Sequence, residues 1–83
     1  MDDQAQIQRA VPAGWQVEPY GAPGVWVLSP GRFQGFVTID MKRRLFALGM
    51  GQPRGNPDPA FAGRNWKVAL INAAIAAHQA AMA

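Results

Sequence analysis

The stretch "GFVTIDMKRRLFALGM", residues 35–50, carries the strongest strand signal in this chain. Its two halves, residues 35–40 and 45–50, are rich in large apolar, aromatic and β-branched side chains, which is typical of strands. Only four residues, Met41 to Arg44, separate the halves, and three of them are adjacent cations. Because so short a separation favours an antiparallel hairpin, we predict that Met41 to Arg44 form an exposed turn between two strands.

Two further runs extend this hairpin toward the N-terminus. Residues 24–29, "GVWVLS", form an apolar run that ends at Pro30, and residues 15–18 alternate apolar and polar side chains. Short connections between consecutive strands favour a meander, in which each strand pairs with the next. We therefore predict an antiparallel sheet of three or four strands within residues 15–50.

One helix is predicted before the strands and one after them. Residues 2–11 suit a short helix, with Asp2 or Asp3 as its N-cap and Pro12 at its end. Residues 66–82 form the clearest helix, and Asn65 stands in the N-cap position. Residues 51–65 contain three prolines, three glycines and no periodicity, so they predict a loop. The chain is thus expected to be one α+β domain, residues 1–83, with a long C-terminal helix packed on the sheet.

The C-terminal helix carries apolar side chains on two sides that a helical wheel places nearly opposite each other. One side holds Trp66, Leu70, Ala73, Ala77 and Ala80, and the other holds Val68, Ile71, Ile75 and Met82. A helix with two apolar sides needs two partners, and one of them must be the sheet. The second side is expected to meet the N-terminal helix or to bind a second copy or another protein.

The residue inventory argues against catalysis. The 83 residues include no cysteine, one histidine, His78, and five acidic residues, two of which stand at the first helix cap. A nucleophilic triad would have to join Ser29, in a Ser-Pro-Gly turn, to His78 near the chain end. We therefore expect no enzyme activity, no catalytic residue, no metal site, no cofactor and no small-molecule substrate.

Cations concentrate in the middle of the chain. Residues 32–67 hold seven cations against two acidic residues, a local net charge of +5, whereas residues 1–31 have a local net charge of −2. A basic segment of this kind attracts phosphates or an acidic partner, although a hairpin tip kept in solution by its charge has the same composition. The candidate nucleic-acid-binding residues are Arg32, Lys42, Arg43, Arg44, Arg54, Arg64 and Lys67.

Two resemblances bear on these residues. The motifs "GFVTID", "RRLFALGMG" and "AGRNWKVALINAAIAA" resemble small uncharacterised proteins encoded by phages and prophages of proteobacteria, over roughly residues 15–80. That group implies an origin and a fold but no activity. The element order also resembles the double-stranded-RNA-binding domain, in which cations at the start of the last helix contact phosphates. Arg64 and Lys67 stand in comparable places, but the paired lysines typical of that family are absent.

Two functional hypotheses follow. The first is a non-enzymatic phage or prophage accessory protein that binds nucleic acid through a basic face. The alternative is an assembly module that binds a partner, or a second copy of itself, through Val68, Ile71, Ile75 and Met82. No stretch is long and apolar enough to span a membrane, and "MDDQ" lacks the features of a secretory signal, so we expect a cytoplasmic location. Trp66, Trp26 and Phe36 are expected in the core, and Trp15 is expected to be partly exposed.

Overall fold

The computed structural model describes residues 2–31 and 34–82. Within them the chain is α+β, with an open antiparallel sheet of four strands, a short N-terminal helix and a long C-terminal helix. In chain order the elements are α1 (Asp3–Ala10), β1 (Gln16–Pro19), β2 (Val25–Ser29), β3 (Val37–Asp40), β4 (Leu45–Leu48), a 3-10 turn (Pro59–Phe61) and α2 (Trp66–Met82). The predicted fold class is confirmed.

The four strands form a meander in the order β1-β2-β3-β4, so every neighbouring pair is a hairpin. The register aligns Val17, Leu28 and Val37 across the first three strands, with Leu48 next to Val37 on β4. Because side chains alternate between the two faces of a strand, these four residues point to the same face. That face lies under the helices.

Helix α1 begins at its N-cap Asp2, whose carboxylate accepts a hydrogen bond of 2.8 Å from the Ala5 amide. The helix packs beside β1 through Ile7, which is fully buried. Two glutamines on α1 also reach the strand, because Gln4 Nε2 donates to the Val17 carbonyl at 3.2 Å and Gln8 Nε2 donates to the Trp15 carbonyl at 3.0 Å. Helix α1 therefore covers one edge of the sheet with both apolar and polar contacts.

Helix α2 packs across β3 and β4. Its buried residues Leu70, Ile71, Ala74 and Ile75 join one hydrophobic core with the helix-facing strand residues and with Ile7 of α1. The core closes at the start of α2, where the buried Phe61 of the 3-10 turn meets Phe46 edge to face, with ring centroids 6.4 Å apart. The predicted loop is thus held to the core by Phe61.

The second face of the sheet is also covered. Val25, Val27 and Leu45 are buried on it, although neither helix packs there. The segment after β4 crosses this face, since Pro53 is fully buried and Gln52 Nε2 lies 2.9 Å from where a Cβ on Gly21 would stand. These contacts let a chain of 83 residues shield both faces of its sheet.

Three predicted side-chain environments are wrong, and strand alternation explains each of them. Met41 is buried rather than exposed, because it continues the helix-facing series of Val37 and Ile39 into the turn. Trp15 is buried, because it precedes Val17 by two residues and so faces the helices. Phe36 points to the second face but is 41% exposed, because it precedes the first residue of β3 and lies beyond the part of that face where Val25, Val27 and Leu45 are buried.

Candidate nucleic-acid interface

The β3–β4 turn presents two of its three cations to solvent. The carboxylate of Asp40 accepts hydrogen bonds from the amides of Lys42 (3.0 Å) and Arg43 (2.9 Å), which fixes the backbone of the turn. The side chains of Lys42 and Arg43 are exposed. Asp40 itself is buried beneath them, and its carboxylate binds main-chain amides. The turn therefore holds two cations outward on a fixed backbone.

Arg44 has a different role from the other cations of the triplet. Its backbone lies in the left-handed region with φ of +58°, which is uncommon for a residue other than glycine. Its guanidinium carbon stands 4.3 Å from the centroid of the Trp66 ring, and its Nη1 donates to the Phe61 carbonyl at 3.0 Å. Cation–π contact and hydrogen bond together tie the turn to the loop and to the start of α2.

An open cavity of about 540 Å³ lies between this turn and the loop. The three cations of the turn line one side, and residues 55–59, Phe61 and Ala62 line the other. Its acidic residue, Asp58, accepts a hydrogen bond of 2.9 Å from the Ala60 amide and caps the 3-10 turn. The cavity thus has a cationic wall on the turn opposite a wall formed by the loop.

A second groove, of about 600 Å³, runs between α1 and the start of α2. It is lined by the cations Arg9, Arg64 and Lys67, by polar side chains, and by Ala10, Val68 and Ile71. The sequence analysis did not single out Arg9. Arg9 is the one cation within residues 1–31, so it belongs to no cluster of charges along the sequence. It comes near Arg64 only because α1 packs beside α2.

Lys67 links the two cationic regions but is partly engaged. Its Nζ lies 5.7 Å from the Trp66 ring centroid, 3.2 Å from Gln6 Oε1 and 3.8 Å from the Asp3 carboxylate. Trp66 therefore has Arg44 over its ring and Lys67 beside it. Trp66 is also only partly exposed and packs against the core, which agrees with the expectation for this residue.

We call the surface formed by the turn, Trp66 and the groove the basic end. Its cations come from three separate segments of the chain: Arg9; Lys42, Arg43 and Arg44; Arg64 and Lys67. Arg54, another predicted site residue, is exposed in the loop but lines neither cavity. Arg32 lies outside the described residues. The structure thus brings five of the seven predicted cations together and adds Arg9.

The predicted partner-binding stripe on α2 does not exist as one surface. Ile71 and Ile75 are 1% and 8% exposed and belong to the core, whereas Val68 and Met82 are 55% and 56% exposed. On a helical wheel the buried arc runs from Leu70 through Ala74 to Ile75, so it joins the two apolar sides instead of separating them. The expectation that these four residues form a second docking face is therefore corrected.

His78 and Ser29 form no hydrogen bond with each other within the described residues. His78 is 3% exposed and stands edge-on to Trp15, with ring centroids 5.5 Å apart, on the helix side of the sheet. The Ser29 hydroxyl closes its own turn by donating to the Gly31 carbonyl at 3.0 Å and accepting from the Gly31 amide at 3.2 Å. Among the described residues, no three His, Asp or Glu side chains are grouped as a metal site would require. The expected absence of catalysis stays a prediction.

Comparison with known proteins adds no further assignment. No family model matches the chain, and no match is found among curated proteins or among solved structures. In the part of the chain that the structure describes, no helix has the length and apolar character needed to cross a membrane.

Proposed function

We propose that this chain is a non-enzymatic phage or prophage accessory protein that binds the phosphate backbone of nucleic acid through the basic end. The phage origin rests on the sequence resemblance. The nucleic-acid role is supported mainly by one observation, the contact between the Arg44 guanidinium and the Trp66 ring. This contact holds the β3–β4 turn against the start of α2, so that cations 20 or more residues apart share one surface.

The charges of the basic end are available in different degrees. Lys42, Arg43, Arg64 and Arg9 are exposed. Arg44 and Lys67 are partly engaged by Trp66 and by neighbouring polar groups. Three acids near this surface offset part of its charge: Asp40 and Asp58 accept main-chain hydrogen bonds, and the Asp3 carboxylate lies 3.8 Å from Lys67 Nζ. The six cations of the basic end still exceed them by three charges.

Phosphate contacts of this kind make affinity depend on salt, because each neutralised phosphate releases condensed counterions. Four contacts to a duplex would give a slope of about −3.6 for log K against log salt concentration. A surface with cations but no base-reading element should bind without strong sequence preference, with a dissociation constant of about 1–100 μM at physiological salt. The proposal therefore predicts moderate, salt-sensitive and sequence-tolerant binding.

The test measures fluorescence anisotropy of a labelled mixed-sequence duplex, and of one of its single strands, from low to physiological salt. The double variant Arg43→Gln/Arg64→Gln should bind more weakly, and its salt slope should become shallower by about 1.8. The control Gln16→Glu/Gln79→Glu makes the same change of −2 in net charge by adding two carboxylates at exposed positions outside the basic end. It should keep a slope close to that of the wild type.

Two outcomes would contradict the proposal. If both double variants lose affinity equally, net charge alone governs binding and the basic end is not a site. If neither duplex nor single strand binds at the lowest salt concentration, the nucleic-acid role fails altogether.

A further inference from the structure

The two edges of the sheet differ in what happens to their outward-facing main-chain groups. In an antiparallel pair, bonded and non-bonded residue pairs alternate, so every second residue of an edge strand turns its N–H and C=O outward. On β1, Tyr20 donates to the Val25 carbonyl at 2.9 Å, and alternation from this pair leaves Pro19, Val17 and Trp15 facing outward. These are the groups that a further strand would use.

On edge β1, three outward main-chain groups are already bonded and a fourth, the N–H of Pro19, is absent. The outward carbonyls of Val17 and Trp15 accept hydrogen bonds from Gln4 and Gln8 of α1. The Trp15 amide donates to the Pro12 carbonyl at 3.2 Å, and Pro19 has no N–H to offer. The exposed Glu18 adds a charge at the same edge. Charges and prolines are common means by which proteins prevent edge pairing.

Edge β4 has none of these protections. The Gly49 amide donates to the Phe36 carbonyl at 2.8 Å, and alternation from this pair turns the main-chain groups of Phe46 and Leu48 outward. No hydrogen bond to these groups occurs within the described residues. The strand has the sequence "LFAL", followed by Gly49 and Met50, without a charge or a proline, and Leu48 is 51% exposed.

We propose that β4 pairs with β4 of a second copy of this chain, antiparallel, about a two-fold axis at Ala47. In that register Phe46 of each copy exchanges main-chain hydrogen bonds with Leu48 of the other, and Ala47 faces Ala47. Phe46 and Leu48, whose main-chain groups face outward, are thus the residues that form hydrogen bonds in this pairing. Phe46 and Leu48 also lie on the same face of the sheet, so each Phe46 side chain gains a Leu48 neighbour across the interface.

Charge and the symmetry of the edge favour a second copy over an unrelated partner. Arg44 lies opposite the apolar Met50 of the other copy in this register, and the two basic ends point to opposite ends of the joined sheet, so like charges do not meet. A pairing through one edge strand of four residues joins the copies over a small surface. Small interfaces are weak, so we expect the dimer fraction to depend on protein concentration.

The first test measures mass by sedimentation equilibrium from about 10 μM to about 1 mM protein without nucleic acid, a range that suits a weak interface. We expect the dimer fraction to rise with concentration. Leu48→Lys places a charge at the open edge and should weaken the dimer by at least about tenfold. Val68→Lys is the matched control, since Val68 is similarly exposed but lies in the groove between the helices, and it should leave dimerisation unchanged.

The second test uses the absence of cysteine from the chain. In the proposed register the two Ala47 residues form a non-bonded antiparallel pair with Cα atoms about 4.5 Å apart, within the range that a disulfide spans. Ala47→Cys should oxidise to a covalent dimer at least about tenfold faster than Ala76→Cys, an exposed position on α2. This test applies even if Leu48→Lys fails to fold.

Any of three results would overturn the inference: a monomer at the highest concentration, a Leu48→Lys variant that folds and dimerises normally, or equal rates of crosslinking for the two cysteine variants. Loss of nucleic-acid binding in the basic-end variants would leave it untouched, because the two surfaces share no tested residue.

Discussion

Strands β1 and β4 are the two edges of one sheet, and they differ in where their protection comes from. At the β1 edge the carbonyls of Val17 and Trp15 accept hydrogen bonds from glutamines of α1, a helix that also buries Ile7 beside the strand. Strand β4 is followed by a loop that turns away across the second face and leaves the outward groups of Phe46 and Leu48 without such partners within the described residues. The composition of an edge strand therefore decides only part of its availability for pairing. The element that precedes or follows the strand decides the rest.

The largest expected loss of stability comes from removing the buried side chain that packs α1 against β1. Ile7→Ala removes a fully buried side chain between α1 and the sheet and should lower the free energy of unfolding by about 2–5 kcal/mol. Urea unfolding followed by tryptophan fluorescence measures this loss. Met82→Ala shortens an exposed apolar side chain and should cost at most about 0.5 kcal/mol. Equal losses in the two variants would show that α1 is not anchored through Ile7.

The glutamine hydrogen bonds to β1 should contribute less free energy than Ile7, and they can be removed without changing Ile7. The double variant Gln4→Ala/Gln8→Ala deletes two side-chain hydrogen bonds to β1 and should cost about 1–3 kcal/mol, at about 0.5–1.5 kcal/mol for each bond. It should also increase association at high concentration, because the β1 carbonyls become free to pair. Gln16→Ala removes an exposed glutamine of β1 itself and should change neither property. A double variant as stable and as monomeric as the Gln16 control would remove the glutamines from this role.

Arg44, just before β4, contacts Trp66 and Phe61 and has a left-handed backbone. Two substitutions of Arg44 distinguish the energy of these contacts from the strain of its backbone. Arg44→Ala loses the contact with Trp66 and the bond to Phe61 while keeping a non-glycine residue at φ of +58°, and should cost about 1–2 kcal/mol. Arg44→Gly loses the same contacts but relieves about 1 kcal/mol of left-handed strain. Glycine should therefore be the more stable of the two in urea unfolding. The reverse order would mean that the turn does not hold a left-handed conformation at residue 44.

The smallest effect on folding is expected at the open edge. Because Leu48 is 51% exposed and its outward main-chain groups lie outside the sheet ladder, Leu48→Lys should change the stability of the monomer by no more than about 0.5 kcal/mol. Unfolding measured at a concentration low enough to exclude dimers checks this value. A much larger loss would show that Leu48 already belongs to the folded core, and that β4 is less open than its exposure indicates.

Much of the fold was predictable because it depends on local patterns. Alternation and short connections predicted the meander, and an acidic N-cap and a following proline predicted the bounds of α1 to within one residue. The exposed cations Lys42 and Arg43 were also predictable, since they occupy the centre of a short turn. What failed was the environment of single side chains near strand ends, where Met41 and Trp15 follow the alternation of a strand beyond its last bonded residue.

The candidate site was predictable in composition but not in arrangement. A count of charges along the chain found the basic middle segment, but it had no means of finding Arg9, which joins the groove only because α1 packs beside α2. It also could not separate Arg44 from Arg43, because the difference between them is the position of the Trp66 ring.

The sequence by itself determined the α+β class, the order of the elements and the concentration of positive charge, because these depend on residues close together along the chain. Only the tertiary structure decided which arc of α2 is buried, since a helix with apolar side chains almost all round can pack in several rotations of similar local energy. Contact with the sheet selects the rotation that buries Ile71 and Ile75 and leaves Val68 in the groove. The same reason applies in part to the sheet edges. Pro19 and Glu18 of β1 are given by the sequence, but the glutamine bonds to its carbonyls depend on the position of α1 in space.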